Sequence, residues 1–337
     1  MRATVTAVVL LLAACSTGAT STTEAPTELT LLTHDSFYVS EGVFEAFTEE
    51  TGITVTLLQG GDAGTIVGNA ILAADNPVAD VLFGVDSTFL SRALDAGIFS
   101  PYESPALSGV AESLQVGPEV TPIDFGDVCV NVDLAAFPDG GPTDFADLAQ
   151  PEYASQLVVM NPATSSPGLA FLLASVAEFG DGWEGFWTDL AANGVEVTSG
   201  WSEAYYGSFT VGGGGDRPLV VSYASSPPAE VLFADPPVEA APTGVMESTC
   251  FRQVEYAGIL TPSSSAEALI DFLLSETFQA DVPLSMFVFP AVEATGLPAE
   301  FVEYAVVPDV PLTLPEEEIE ERRDELIDRW TEIVLGS

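Results

Sequence analysis

The chain has no lysine, and its seven arginines stand against 51 acidic residues in 337, a formal charge of −44 at pH 7. With no basic patch to neutralise phosphates, nucleic acid and anionic lipid surfaces are excluded as partners by repulsion. Histidine occurs once, as His34, so no HExxH cluster exists, and neither a catalytic triad nor a dinucleotide fingerprint stands in its place. No metal or cofactor is therefore expected. Cysteine occurs three times, at Cys15, Cys129 and Cys250. Beyond the N-terminal run Val5 to Ala14, no apolar stretch reaches membrane-spanning length. The acidic surplus fits adaptation to salt and would also steer a cationic solute toward a cleft; by itself it marks no site.

What is present begins with a processing signal. Arg2, the apolar run and Leu12-Ala13-Ala14-Cys15 have the layout of a signal peptide ending in a lipobox. Residues 1–14 are expected to be removed and Cys15 to be lipidated. Residues 15–27 are small and hydroxylated, too polar to fold, and read as a flexible tether. The expected location is extracytoplasmic, with membrane contact through the lipid anchor only. About 310 residues follow, more than one core usually serves, so two lobes are expected. Cys129 and Cys250 are a possible disulfide in an oxidising compartment.

Apolar runs and breakers place strands at Glu28 to Thr33, Ile53 to Leu58 and Asp80 to Gly84. Helices are expected between them, through Val43-Phe44-Phe47 and over Ala63 to Ala74, then over Ser87 to Ala96. This alternation predicts an α/β fold with mainly parallel strands. A second alternation follows: a strand at Leu157 to Met160, helices over Gly168 to Phe179 and Trp183 to Ala192, and strands at Val195 to Val197 and Leu219 to Ser222. Helices over Ala266 to Leu274 and Glu317 to Leu335 close the chain, the last with Arg322-Arg323 set to suit its dipole. Gly212 to Gly215 read as a flexible surface turn.

Five phrases, in order, carry a resemblance: Thr33-His34-Asp35-Ser36-Phe37, Ala79-Asp80-Val81-Leu82-Phe83-Gly84-Val85-Asp86, Asn161-Pro162-Ala163-Thr164-Ser165-Ser166-Pro167-Gly168, Gly200-Trp201-Ser202-Glu203-Ala204-Tyr205 and Ser222-Tyr223-Ala224-Ser225-Ser226-Pro227. Together the chain resembles the thiamine-binding periplasmic proteins over roughly residues 28 to 335. The resemblance implies a type II periplasmic binding protein: residues 28–125 and 258–337 as one lobe, 126–257 as the other, and hinge strands near 124–132 and 250–258. Those hinges would bring Cys129 and Cys250 together. It also implies a monomer that captures thiamine or thiamine phosphates and delivers them to an ABC transporter permease, without being an enzyme.

A flat cation calls for aromatic faces and a carboxylate. Trp201, Tyr205, Tyr223 and Phe287 are the candidate rings; Phe287 departs from the resembled proteins, which tend to carry Trp or Tyr there. Asp35 and Ser36 follow the first strand at its carboxyl edge, where open α/β sheets bind ligands; for Asp35 a helix cap is the lesser alternative. Asp62 and Asp86 are weaker cases of the same kind. Ser165, Ser166 and Ser225 offer hydroxyls, the first two at a helix start that would hold a phosphate or be a plain cap. Two alternatives share the fold. Tyr205-Tyr206 with His34 would suit ferric ion, and Cys129 would be the nucleophile of a thiaminase-like enzyme.

Overall fold

The computed structural model describes residues 27–336; the signal segment and Cys15 lie outside it. Among the described residues the strands are β1 (Glu28–Thr33), β2 (Thr54–Gln59), β3 (Val81–Asp86), β4 (Thr121–Asp133), β5 (Leu157–Met160), β6 (Glu196–Thr198), β7 (Leu219–Tyr223), β8 (Thr243–Ile259) and β9 (Phe289–Pro290). They form one mixed sheet in the order β2-β1-β3-β8-β4-β7-β5-β6, with β9 on β4. At one end β1 pairs in parallel with β2 and β3; at the other β5 pairs in parallel with β6 and β7. Between them β4 and β8 run antiparallel over nearly their whole length. These two long strands carry the chain from one half of the molecule to the other and back.

Each half follows from its patterning. Leu29, Leu31, Val81 and Phe83 pack with Phe47 and Phe278 on one side of the sheet, because alternate strand residues share a face. The helix Ser166–Phe179 is apolar nearly all round and is buried from Ser166 to Val176, between the second half of the sheet and the helix Trp183–Ala192. The C-terminal helix Glu316–Val334 returns to that half, with Trp330 edge-on to Trp187 at 5.5 Å. Arg322 and Arg323 lie in the middle of that helix, not in its last turn, so they do not serve its dipole; Arg323 donates to Ser91 instead. Among the described residues no helix is long and apolar enough to cross a membrane.

Two local features differ from the sequence pattern. The helix Glu276–Ser285 contains Pro283, whose ring masked the helical signal. The Gly212 to Gly215 run is not a loose turn. A Cβ on Gly212, Gly213 or Gly215 would come within 2.4, 1.7 or 2.1 Å of the carbonyl oxygens of Tyr205, Tyr206 or Ser208. The run is bare backbone laid against the backbone of the aromatic segment.

Cys129 on β4 and Cys250 on β8 are joined in a disulfide, 121 residues apart in sequence, beneath Ala224 and Val306. A bridge closing so long a loop removes unfolded-state freedom. Replacing both cysteines by alanine is expected to lower unfolding stability by about 2–4 kcal/mol, measurable by urea melts; an unchanged midpoint would show that the strand ladder alone holds the crossing.

Candidate functional site

A cleft of about 430 Å³ opens between the two halves, over the middle of the sheet. Its floor is set by strand register. Asp86 on β3 and Asp124 on β4 both face Glu255 on β8, so three acids lie in a row across three strands. Glu255 is the member that lines the cleft. Asp124 is buried, and burial together with the Glu255 charge holds its carboxyl well above the usual range. Burial likewise pushes Asp86 up to about 6, against the hydroxyls of Ser166 and Thr88. His34, after β1, hydrogen-bonds Ser36 Oγ through Nδ1 at 2.8 Å and has Nε2 3.5 Å from Glu255. Burial is the largest influence and works to lower the His34 pKa, but Glu255, Asp62 and Asp35 together outweigh it and the net shift is upward. The histidine fits there because residue 84 is glycine. Gly84 has φ +100°, and a Cβ would lie 2.5 Å from the His34 ring.

One wall is aromatic. Trp201 and Tyr205 stack at 4.8 Å with 21° between planes, and Tyr206 stands edge-on to both. Trp201 opens a single helical turn that widens into a π-helical turn over Ala204–Ser208, a distortion frequent at functional sites. Trp201 Nε1 donates to Ser222 Oγ at 2.9 Å. Tyr205 donates its hydroxyl to Glu230, which also accepts from Thr243. Tyr223 lies over Gly126, where a Cβ would meet its ring at 2.8 Å, and donates to Gln253 at 3.0 Å. At the rim Phe287 adopts φ +56°, an uncommon conformation for a bulky residue. Its ring meets Phe233 edge-on at 5.8 Å.

The two sides touch directly. The Trp201 N–H donates to Asp62 at 2.9 Å, the Thr65 N–H to the Thr164 carbonyl at 3.2 Å, and Ser202 Oγ to Asp35 at 3.2 Å. Asp62 also accepts from the Ala63 N–H at 2.7 Å. Burial raises its pKa, against the pull of these two N–H groups.

Of the candidate residues, Asp35, Ser36, Asp62, Ser166, Trp201, Tyr205, Tyr223 and Phe287 line the cleft. Asp86, Ser165 and Ser225 do not. Asp86 is sealed beneath the floor, accepting from the Thr88 hydroxyl and N–H. Ser165 is the buried cap of its helix, accepting from the Gly168 N–H. Ser225 is fully buried one residue from Ser226, which does line the cleft. Sequence reasoning missed Glu255, Ser226 and Phe233, and set His34 aside for iron. Only register across strands distant in sequence brings Glu255 to the cleft.

The family model of bacterial extracellular solute-binding proteins matches residues 76–312. The chain belongs to that family. This solute-binding protein is 28% identical to the thiamine-binding periplasmic protein of Brucella melitensis, over 91% of this chain and 92% of that one. With the thiamine-binding periplasmic protein of Escherichia coli it shares 29% identity, over 91% and 93%. A solved periplasmic thiamin binding protein superposes with a TM-score of 0.82 at 26% identity, covering 91% of this chain and 96% of that one. The apo ferric ion-binding protein A of Pasteurella haemolytica gives 0.73 at 16% identity, over 92% and 99%, a likeness of fold alone. The fold is that of the type II periplasmic binding proteins.

The burial of Glu230 is expected to make the stability of the solute-binding protein depend on pH. Burial pushes its pKa up to about 7 from an ordinary value of 4.5. The folded state thus holds this proton more tightly than the unfolded one, so the contribution is full below about 4.5 and lost as pH rises through about 7. The melting temperature is expected to rise as pH falls from 8 to 5, and Glu230→Gln, which mimics the protonated acid, to narrow that rise. Equal slopes in the two proteins would count against a raised Glu230.

Proposed function

We propose that the chain is the solute receptor of an ABC importer and that its solute is thiamine or a thiamine phosphate. The observation that carries this is the pairing, in one interlobe cleft, of the Trp201–Tyr205 stack with the carboxylates of Asp35, Asp62 and Glu255. Thiamine joins an aminopyrimidine to a thiazolium of fixed positive charge. An aromatic face over such a cation contributes about 0.5–2 kcal/mol, and a carboxylate can accept from the amine. The names of the relatives support the same solute. Residues 28–125, with the chain from 258 through the helix Glu276–Ser285, would move about the crossing strands against 126–257, which the C-terminal helix Glu316–Val334 would accompany because it packs there, and the permease would recognise the closed form. Ligand favours that form only by its difference in affinity between the two states. Cys15 would hold the receptor at the outer face of the membrane through its lipid.

Two other functions are supported less well. Ferric capture through paired tyrosines needs free phenol oxygens, whereas Tyr205 donates to Glu230 behind the cleft wall and burial pushes its pKa well up. A thiaminase-like reaction needs a thiolate, and the Cys129 sulfur is bonded to Cys250 and fully buried.

Trp201→Ala is expected to weaken thiamine binding at least tenfold, about 1.4 kcal/mol, by calorimetry or by quenching of tryptophan emission. An unchanged affinity would remove Trp201 from the site, and colour on adding ferric ion without any response to thiamine would favour the iron alternative.

A further inference from the structure

The rim of the cleft carries exposed apolar groups. Phe233, 73% exposed, Tyr38, 61% exposed, and Leu284 all line it. A single exposed ring is ordinary, but several gathered around one opening form a patch with a use. Phe233 stands at the end of the helix Pro227–Leu232, which Glu230 ties to Tyr205 and Thr243 in the second half of the molecule. Its contact reaches the first half. Phe287 follows the helix Glu276–Ser285, whose Phe278 and Val282 belong to the same packed cluster as Leu31 and Phe47. The Phe233 and Phe287 rings meet edge-on, with centroids 5.8 Å apart and 76° between planes, a favoured geometry for an aromatic pair. Phe287 holds that place at φ +56°, a conformation that a bulky residue keeps only where its surroundings over-determine it.

The polar contacts across the cleft differ in kind. The Trp201 N–H on Asp62, the Thr65 N–H on Thr164 and the Ser202 hydroxyl on Asp35 are hydrogen bonds. When the two halves part, water takes the place of each lost partner, so their net hold is modest. The rings have no such substitute. Separating Phe233 from Phe287 returns apolar area to water, which biases the molecule toward the closed form at the mouth by which a solute leaves.

We propose that Phe233 is a retaining residue of the site: with Phe287 it closes the cleft mouth over a bound solute and slows its escape. This rests on the thiamine reading for the choice of solute, and it assigns Phe233 to the rate of release rather than to capture.

The test is stopped-flow mixing of the chain with thiamine, followed by quenching of tryptophan emission, with the dissociation rate read from the dependence of the observed rate on thiamine concentration. Phe233→Ala, a change at an exposed position whose melt is compared with that of the unaltered chain, is expected to speed dissociation at least about fivefold while association stays within about twofold. Phe287→Ala is expected to act in the same sense, and the double variant to speed dissociation by clearly less than the product of the two single effects, because one pair is lost in all three. Phe233→Tyr, which keeps the ring, is expected to release thiamine as the unaltered chain does. A folded Phe233→Ala protein with unchanged dissociation, or single effects that simply multiply, would overturn the proposal. Failure of the unaltered chain to bind thiamine would instead bring down the thiamine reading, and this retention with it, a result distinct from binding that is indifferent to the change at Phe233.

Discussion

The antiparallel ladder between β4 and β8 is the constraint on which the rest of the molecule depends. It is the central pairing of the sheet, the path by which the chain changes halves, and the floor of the cleft. Its register puts Asp124 opposite Glu255, and β3 adds Asp86 on the other side of the same residue. Shifting β8 by one residue would turn Glu255 to the opposite face and an apolar side chain into the cleft. The disulfide ties the same two strands farther along, so strand pairing and covalent bond enforce one alignment.

Placing acids in such a ladder costs free energy, because a buried charge loses its water. The structure offsets this in three ways. Asp124 and Asp86 are shifted upward by burial, Asp62 is met by backbone N–H groups from both sides of the cleft, and Glu255 has a histidine within ion-pair range. What remains is a cleft with an aromatic wall and carboxylates on its floor and rim. That combination suits a delocalised organic cation better than a hard metal ion, which would demand several free oxygen ligands.

Much of the fold was legible in the chain. Leu157 to Met160 and Val81 to Phe83 are short apolar runs that could only be interior strands, and the helix Trp183–Ala192 lies where its spacing places it. The aromatic wall was legible because Trp201 and Tyr205 are four residues apart in one helical segment, a local relation. The floor was not. His34, Asp124 and Glu255 are separated by most of the chain and meet only through strand register, for which the sequence carries no short-range signal. Ser225 and Ser226 could not be told apart either, since one residue in a turn decides which hydroxyl is buried and which faces the cleft. The four glycines suggested slackness because composition reports permissiveness, not what lies against the backbone.

That glycine run bears on how such a receptor can change over evolution. Its backbone is the anvil on which the Tyr205-Tyr206 segment is shaped, so close that a single methyl group would push the main chain away. The path of the Tyr205-Tyr206 main chain is therefore constrained by residues that do not line the cleft. A lineage could retune what its cleft accepts by altering this hidden backing while every side chain facing the solute stayed the same.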